Sequence, residues 1–160
     1  MALREVRLDG DPILRKKSRI VEKVDDRTKM IAEDLLDTME EYNGAGLAAV
    51  QVGILRRMAA IYVEGEAQVV INPEIIEKQG SITKLEGCLS VPGFCGEVER
   101  AEKVKLKYID VEGKEKEVEL VDFEARAILH EIDHMEGILY TDLVIGELYS
   151  EDDIKFEGEE

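Results

Sequence analysis

Histidine and cysteine are scarce in this chain, with two of each among 160 residues. No apolar run approaches the roughly 20 residues needed to cross a bilayer, which argues against a membrane protein. The opening stretch Met1-Ala2-Leu3-Arg4-Glu5-Val6 alternates charge with apolar groups and lacks the apolar core of a secretory signal. The expected compartment is therefore the cytoplasm. Basic residues are outnumbered, 21 Lys+Arg against 37 Asp+Glu, for a formal net charge of −16. Such a surface repels phosphate backbones, so no direct nucleic-acid partner is expected. Two cysteines in a cytosolic chain are ordinarily buried or inert thiols. Repeats, linkers and low-complexity stretches are absent.

What is present fits one domain over residues 1–160, with 44% hydrophobic residues to build a core. Residues 150–160 carry six acids and one lysine and read as an acidic flexible tail. Asp11-Pro12 is an N-cap followed by proline at the first position of a short turn through Leu14. Asp25 or Asp26 can cap a helix to about Tyr42, with Ile31, Leu35, Leu36, Met39 and Tyr42 as its apolar stripe. Residues 55–63 and 67–72 read as strands around a Glu64-Gly65-Glu66 turn, and residues 74–84 as a further strand interrupted at Gly80. Val104, Leu106 and Tyr108 alternate with lysines as a half-buried strand. A turn at Glu112-Gly113-Lys114 leads to a partner strand through Val118 and Leu120. Asp122 is the expected N-cap of a helix from Phe123 to about Met135, stopped near Gly137. The expected class is α+β, with antiparallel strands packed around a central helix.

That helix carries both histidines, in Leu129-His130-Glu131-Ile132-Asp133-His134. Positions i and i+4 of a helix differ by only about 40° of rotation, so both imidazoles can address one cation. H-E-x-x-H is a pattern of metal-assisted hydrolysis. Glu131 and Asp133 flank the bisector of the imidazoles at about +80° and −80°. Glutamate has the extra methylene to reach a water, which favours Glu131 as the base. Phe123, Ala127, His130 and His134 share one face.

A catalytic site needs a third protein ligand and an open position. With histidine exhausted, the candidates are a carboxylate or Cys88, in Glu86-Gly87-Cys88-Leu89-Ser90. A thiolate there would suit Fe²⁺ or Zn²⁺. Cys95, in Gly93-Phe94-Cys95-Gly96, reads as a structural loop thiol. Gly44-Ala45-Gly46-Leu47-Ala48-Ala49-Val50-Gln51 follows a helix and does not complete a dinucleotide loop. Its small residues permit close approach of an extended peptide, and Gln51 offers an amide donor to a developing oxyanion.

Together the 44–51, 86–90 and 130–134 segments resemble the three signature motifs of the peptide deformylase family, in the same order and with similar separations. Asn72-Pro73 and Val98-Glu99-Arg100 are also similar to that family. The resemblance implies metal ligation by Cys88, His130 and His134. It implies one divalent ion, foremost Fe²⁺, with Zn²⁺, Ni²⁺ or Co²⁺ as alternatives. The implied substrates are N-formylmethionyl polypeptides, nascent chains among them. The formyl group would be hydrolysed by water that Glu131 activates, with Gln51 and the backbone N–H of Leu89 holding the oxyanion. Gly44, Ala45, Gly46, Glu86 and Gly87 would contact the peptide, and Phe123 and Ala127 would wall a methionine pocket. Three positions depart from the family's usual residues: Val50 for proline, Leu129 for glutamine and Met135 for leucine. Some bacterial members carry a basic C-terminal helix associated with ribosome docking; this acidic tail gives no basis for that mode of contact. A metallopeptidase with a different third ligand, or a domain keeping a structural metal through Cys95, are the rival readings.

Overall fold

The computed structural model describes residues 2–152. The first turn, a 3-10 helix at Pro12–Arg15, is capped as expected, with the Asp11 side chain accepting from the Ile13 N–H. Helix α1 spans Asp26–Glu41, and the Asp25 carboxylate accepts from the Thr28 N–H. Ile31, Leu35 and Met39 of its apolar stripe are fully buried. Tyr42 is a correction: it lies past the helix and is 47% exposed.

Strands β1 (Gly46–Ala48), β2 (Met58–Val63), β3 (Glu66–Gln79), β6 (Lys103–Ile109) and β7 (Glu115–Val121) form an antiparallel five-stranded sheet, ordered β1-β2-β3-β6-β7. Strands β4 (Ile82–Cys88), β5 (Val91–Arg100) and β8 (Ile145–Ser150) form a second antiparallel sheet, ordered β4-β5-β8. Helix α2 (Asp122–Met135) packs on the larger sheet, against β1, β2, β6 and β7. The protein is thus α+β with two antiparallel sheets and two α-helices. No helix among the described residues is long and apolar enough to cross a membrane.

The larger sheet is covered on both faces. Met58, Ala60, Val69 and Ile71 turn towards α1, while Ala59, Ile61, Val70 and Leu106 turn towards Ile128 and Met135 of α2. That double burial is why 58–61 is a continuous apolar run instead of an alternating one. Each of the valine, leucine, isoleucine and methionine side chains contributes roughly 1.5–3 kcal/mol by leaving water, and each alanine less.

Several sequence expectations require correction. Strand β2 begins at Met58, not at residue 55, because the 53–57 segment makes a turn and one isolated bridge between Arg56 and Arg19. Residues 66–79 are one strand, so the expected break before residue 74 is absent, while the expected interruption at Gly80 is present and separates β3 from β4. Asn72-Pro73 is absorbed as a bulge, with a register shift between Ile71 and Glu74. The Asn72 side chain holds both backbone groups of Val21 there, which fixes the irregular segment. Cys95 lies in β5 and is 8% exposed, so it is a buried strand thiol and not a loop one. Asp122 makes no side-chain cap; it opens α2 with a left-handed φ of 52°. Ser150 closes β8, while residues 153–160 of the expected tail lie outside the described residues.

Candidate active site

Helix α2 has two faces with different chemistry. Ala125, Ile128 and Met135 join the core, while Arg126, His130 and His134 follow one another at four-residue spacing on another side. The helix ends at Met135, and the chain turns away at Gly137, whose φ is 79°. A β-carbon at that glycine would sit 2.6 Å from the Arg15 carbonyl oxygen, so the turn that stops α2 requires glycine twice over.

Strand β4 supplies the opposing wall. The Cys88 Sγ lies 3.3 Å from His134 Nε2, which is 3.2 Å from His130 Nε2. One ligand atom from each of Cys88, His130 and His134 falls within 4.8 Å of the others. Among the described residues Cys95 is not part of this group. Two ring nitrogens facing each other at this distance can share at most one hydrogen. The His134 Nδ1 is buried without a partner among the described residues. Two imidazoles and a thiol are a donor set that suits a borderline divalent cation, so these residues fit a metal.

Behind the ligands lies a network of buried charge. Glu86 accepts from His130 Nδ1 at 2.9 Å, from Arg100 at 2.7 and 2.9 Å, and from Arg126 at 2.6 Å. Arg100 also donates to Asp133, and Arg126 to the carbonyls of Val98 and Ile82. Two carboxylates thus meet two guanidiniums with most valences used, the condition under which buried charge is tolerated. Burial alone would raise the Glu86 carboxyl, but the hydrogen bonds from Arg100 and His130 outweigh it and hold it at about 2. An ionised Glu86 fixes the tautomer and ring orientation of His130, as partners of metal-ligating histidines do. Burial opposes charge on His130 too, yet Cys88 and Glu86 raise it above the ordinary imidazole value. A cation binding there displaces a proton. Burial pushes His134 well below the ordinary value, towards the neutral form that ligates.

Glu131 stands apart from that network. It is 3% exposed, and its Oε1 has no partner among the described residues. Burial pushes its carboxyl up to about 7, against the pull of His130. A β-carbon on Gly46 would overlap the Glu131 carboxylate, so β1 passes this close only because residue 46 is glycine. Gln51 is held from one end: its Oε1 accepts from the Ala48 N–H at 2.9 Å. Its Nε2 reaches Ser90 Oγ at 3.1 Å and Cys88 Sγ at 3.6 Å.

Cys88, His130, Glu131, Gln51, Glu86 and Arg126 open on one cavity of about 630 Å³, within the usual size of a ligand site. The 44–46 and 86–89 segments, Gln51, Ala127 and His130 line it, with Glu131 at its base. Phe123 also lines it but is 61% exposed, which puts it at the rim. The residues expected at the site therefore come together: all but His134 line this cavity, and His134 joins it through Cys88 and His130, while Cys95 stays outside the group. Glu86 was expected to meet a peptide through its backbone; its carboxylate has a role the sequence did not show, holding His130.

The family model described as Polypeptide deformylase matches residues 3–147. The chain belongs to the polypeptide deformylase family. A peptide deformylase of Finegoldia magna is 52% identical over 148 residues, covering 91% of each chain. The crystal structure of the Thermotoga maritima peptide deformylase superposes with a TM-score of 0.88 at 39% identity, covering 91% of this chain and all of that one. A peptide deformylase from Acinetobacter baumannii, described as Met-Ala-Ser bound, superposes with a TM-score of 0.86 at 35% identity, covering 89% and 99%. The chain is accordingly a hydrolase of the deformylase class.

Sequence reasoning missed the deformylase's Arg126, Arg100 and Ser90 as site residues. A signal existed for Arg126, which precedes His130 by four residues and so shares its face. For Arg100 and Ser90 no spacing rule applies, because β5 and the Leu89–Ser90 turn reach the site only through sheet pairing.

Proposed function

We propose that this protein removes the formyl group from N-formylmethionine at the start of polypeptides, with Cys88, His130 and His134 holding the metal and Glu131 moving the proton. We take α2 as the central, metal-bearing helix of the fold. The observation that carries this reading is the convergence of one sulfur and two ring nitrogens from β4 and α2 beside a buried carboxylate, one oxygen of which has no partner among the described residues. Three protein ligands leave the open position of a catalytic site, and no fourth joins them among the described residues. That argues against a purely structural metal.

When bound, a divalent cation supplies Lewis acidity and acidifies water. The rest is done by the chain. Glu131 accepts a proton from the attacking water and later delivers it to the departing amine, a task suited to a carboxyl poised near neutrality. Asp133 is a poor competitor because Arg100 already engages it. The Gln51 Nε2 and the Leu89 N–H donate to the oxygen that gains charge. The C–N bond breaks, and the products are formate and a free methionyl amine.

Two free sheet edges, β1 and β4, face the cavity, which suits an extended peptide pairing through its backbone. The Ala127 wall is the place for a methionine side chain, with Phe123 at its rim. The Acinetobacter relative is described with Met-Ala-Ser bound, and that peptide is what the reaction would release here from formyl-Met-Ala-Ser. Fe²⁺ is the expected ion, with Zn²⁺, Ni²⁺ and Co²⁺ also compatible with two nitrogens and a sulfur. Nascent chains in the cytoplasm are the expected substrates.

The test is formate release from formyl-Met-Ala by protein purified without oxygen and with its metal quantified. Formate is expected with Fe²⁺. No formate with any of the four ions would overturn the assignment, and cleavage of unformylated peptides would favour a metallopeptidase.

A further inference from the structure

The family match ends at residue 147, yet the chain reaches the active-site cavity once more beyond it. Strand β8 runs to Ser150 in antiparallel register with β5, pairing Cys95 with Tyr149 and Phe94 with Ser150. This register delivers Glu151 to the cavity that holds Cys88, His130 and Glu131. Its Oε1 lies 3.7 Å from where a β-carbon of Gly87 would stand, and Gly87 directly precedes the ligand Cys88. The absent side chain at Gly87 leaves that carboxylate facing the space above β4.

We propose that Glu151 is a specificity-determining residue of this deformylase, favouring substrates with lysine or arginine in the first two positions after formylmethionine and disfavouring aspartate or glutamate there. The inference rests on the function proposed above. Three features carry it. First, no hydrogen bond or ion pair engages the Glu151 carboxylate among the described residues, so none of them holds it away from the cavity. Second, the charges around it do not cancel it. Arg126 is engaged by Glu86, which Arg100 and His130 also share; Asp122 and Glu131 are further carboxylates of the lining, and Lys84 is its one amine among the described residues. Lys84 is exposed and lies three residues before Gly87 along β4, whereas the Glu151 carboxylate faces Gly87 itself. Third, a formylated terminus is an uncharged amide, so the first charge such a peptide presents is a side chain. The net charge of −16 adds a longer-range field of the same sign. The field of Glu151 also reaches inward: after burial, it is the cause that raises the Cys95 thiol above its ordinary value.

The experiment compares the metal-loaded full chain on formyl-Met-Lys-Ala against formyl-Met-Glu-Ala, and on formyl-Met-Ala-Lys against formyl-Met-Ala-Glu. Wild type, Glu151→Gln, Glu151→Lys and Glu147→Gln are used, the last making the same charge change on β8 away from the cavity. Wild type is expected to prefer the lysine peptide of at least one pair by about 3- to 10-fold in kcat/KM, carried by KM, and less so at high salt. Glu151→Gln should narrow the preference about 3-fold, Glu151→Lys should invert it, and Glu147→Gln should leave it unchanged. The Kd values of the released tripeptides, measured by calorimetry, should follow the same order. Brisk formate release with no preference in either pair overturns this inference alone. So does a preference that survives Glu151→Gln, or one that Glu147→Gln narrows equally. Absence of formate from every peptide overturns the deformylase reading itself.

Discussion

Helices α1 and α2 obey the same period but bury opposite chemistry. On α1 the four-residue spacing of Ile31, Leu35 and Met39 presents aliphatic side chains that need only shape and dryness. On α2 the same spacing presents Arg126, His130 and His134, which are desolvated at a cost that only named partners offset. Those partners, Glu86 and Cys88, come from β4, 40 to 46 residues earlier in the chain. An apolar stripe is satisfied by any matching surface; a polar stripe is satisfied by one arrangement.

The difference can be broken experimentally, and the largest effect belongs to the ligands. His134→Ala is expected to lose the metal and to cut formate release about 10⁴-fold, checked by metal analysis beside turnover. Next comes Glu131→Gln, which should keep the metal and lower kcat about 10³-fold, since it removes only the proton carrier. Near-normal turnover in that variant would make Asp133 the base.

Glu86→Gln tests the buried network itself. It leaves two guanidiniums partly uncompensated, and unfolding by denaturant should show a loss of about 4 kcal/mol. Its pH dependence has a definite sign. The Glu86 carboxyl falls from an ordinary 4.5 to about 2 in the folded state. Its contribution is therefore fully present above pH 4.5 and is lost as pH falls towards 2, so the gap between wild type and variant should close over that window. A gap that stays constant down to pH 2 would mean that the carboxylate is not what the arginines need. The smallest effect is on α1, where Leu35→Ala should cost about 3 kcal/mol with no pH dependence and no change in metal content.

The parts of the fold readable from sequence are those governed by local period and caps. The Asp25 cap, the α1 stripe, the alternation through Val104, Leu106 and Tyr108, and the stop of α2 near Gly137 all needed neighbours only a few residues away. The strand through Asn72-Pro73 was not readable. Proline ordinarily interrupts a ladder, and the bulge that admits it depends on Asn72 gripping Val21, about 50 residues away. Cys95 escaped for a similar cause, because its glycine-rich surroundings signal a loop until β4 and β8 pair on either side of β5.

By itself, the amino-acid order determined which atoms were available: two imidazoles one helical turn apart, an adjacent glutamate, and a cysteine preceded by glycine. Helix geometry needs nothing else to aim both rings the same way. Only the folded chain decided what meets them, since sheet pairing placed the Cys88 sulfur opposite the rings, turned Glu86 inward to orient His130, and brought Glu151 back to the cavity. Such meetings depend on strand register, where a shift of one residue would turn each of these side chains to the other face.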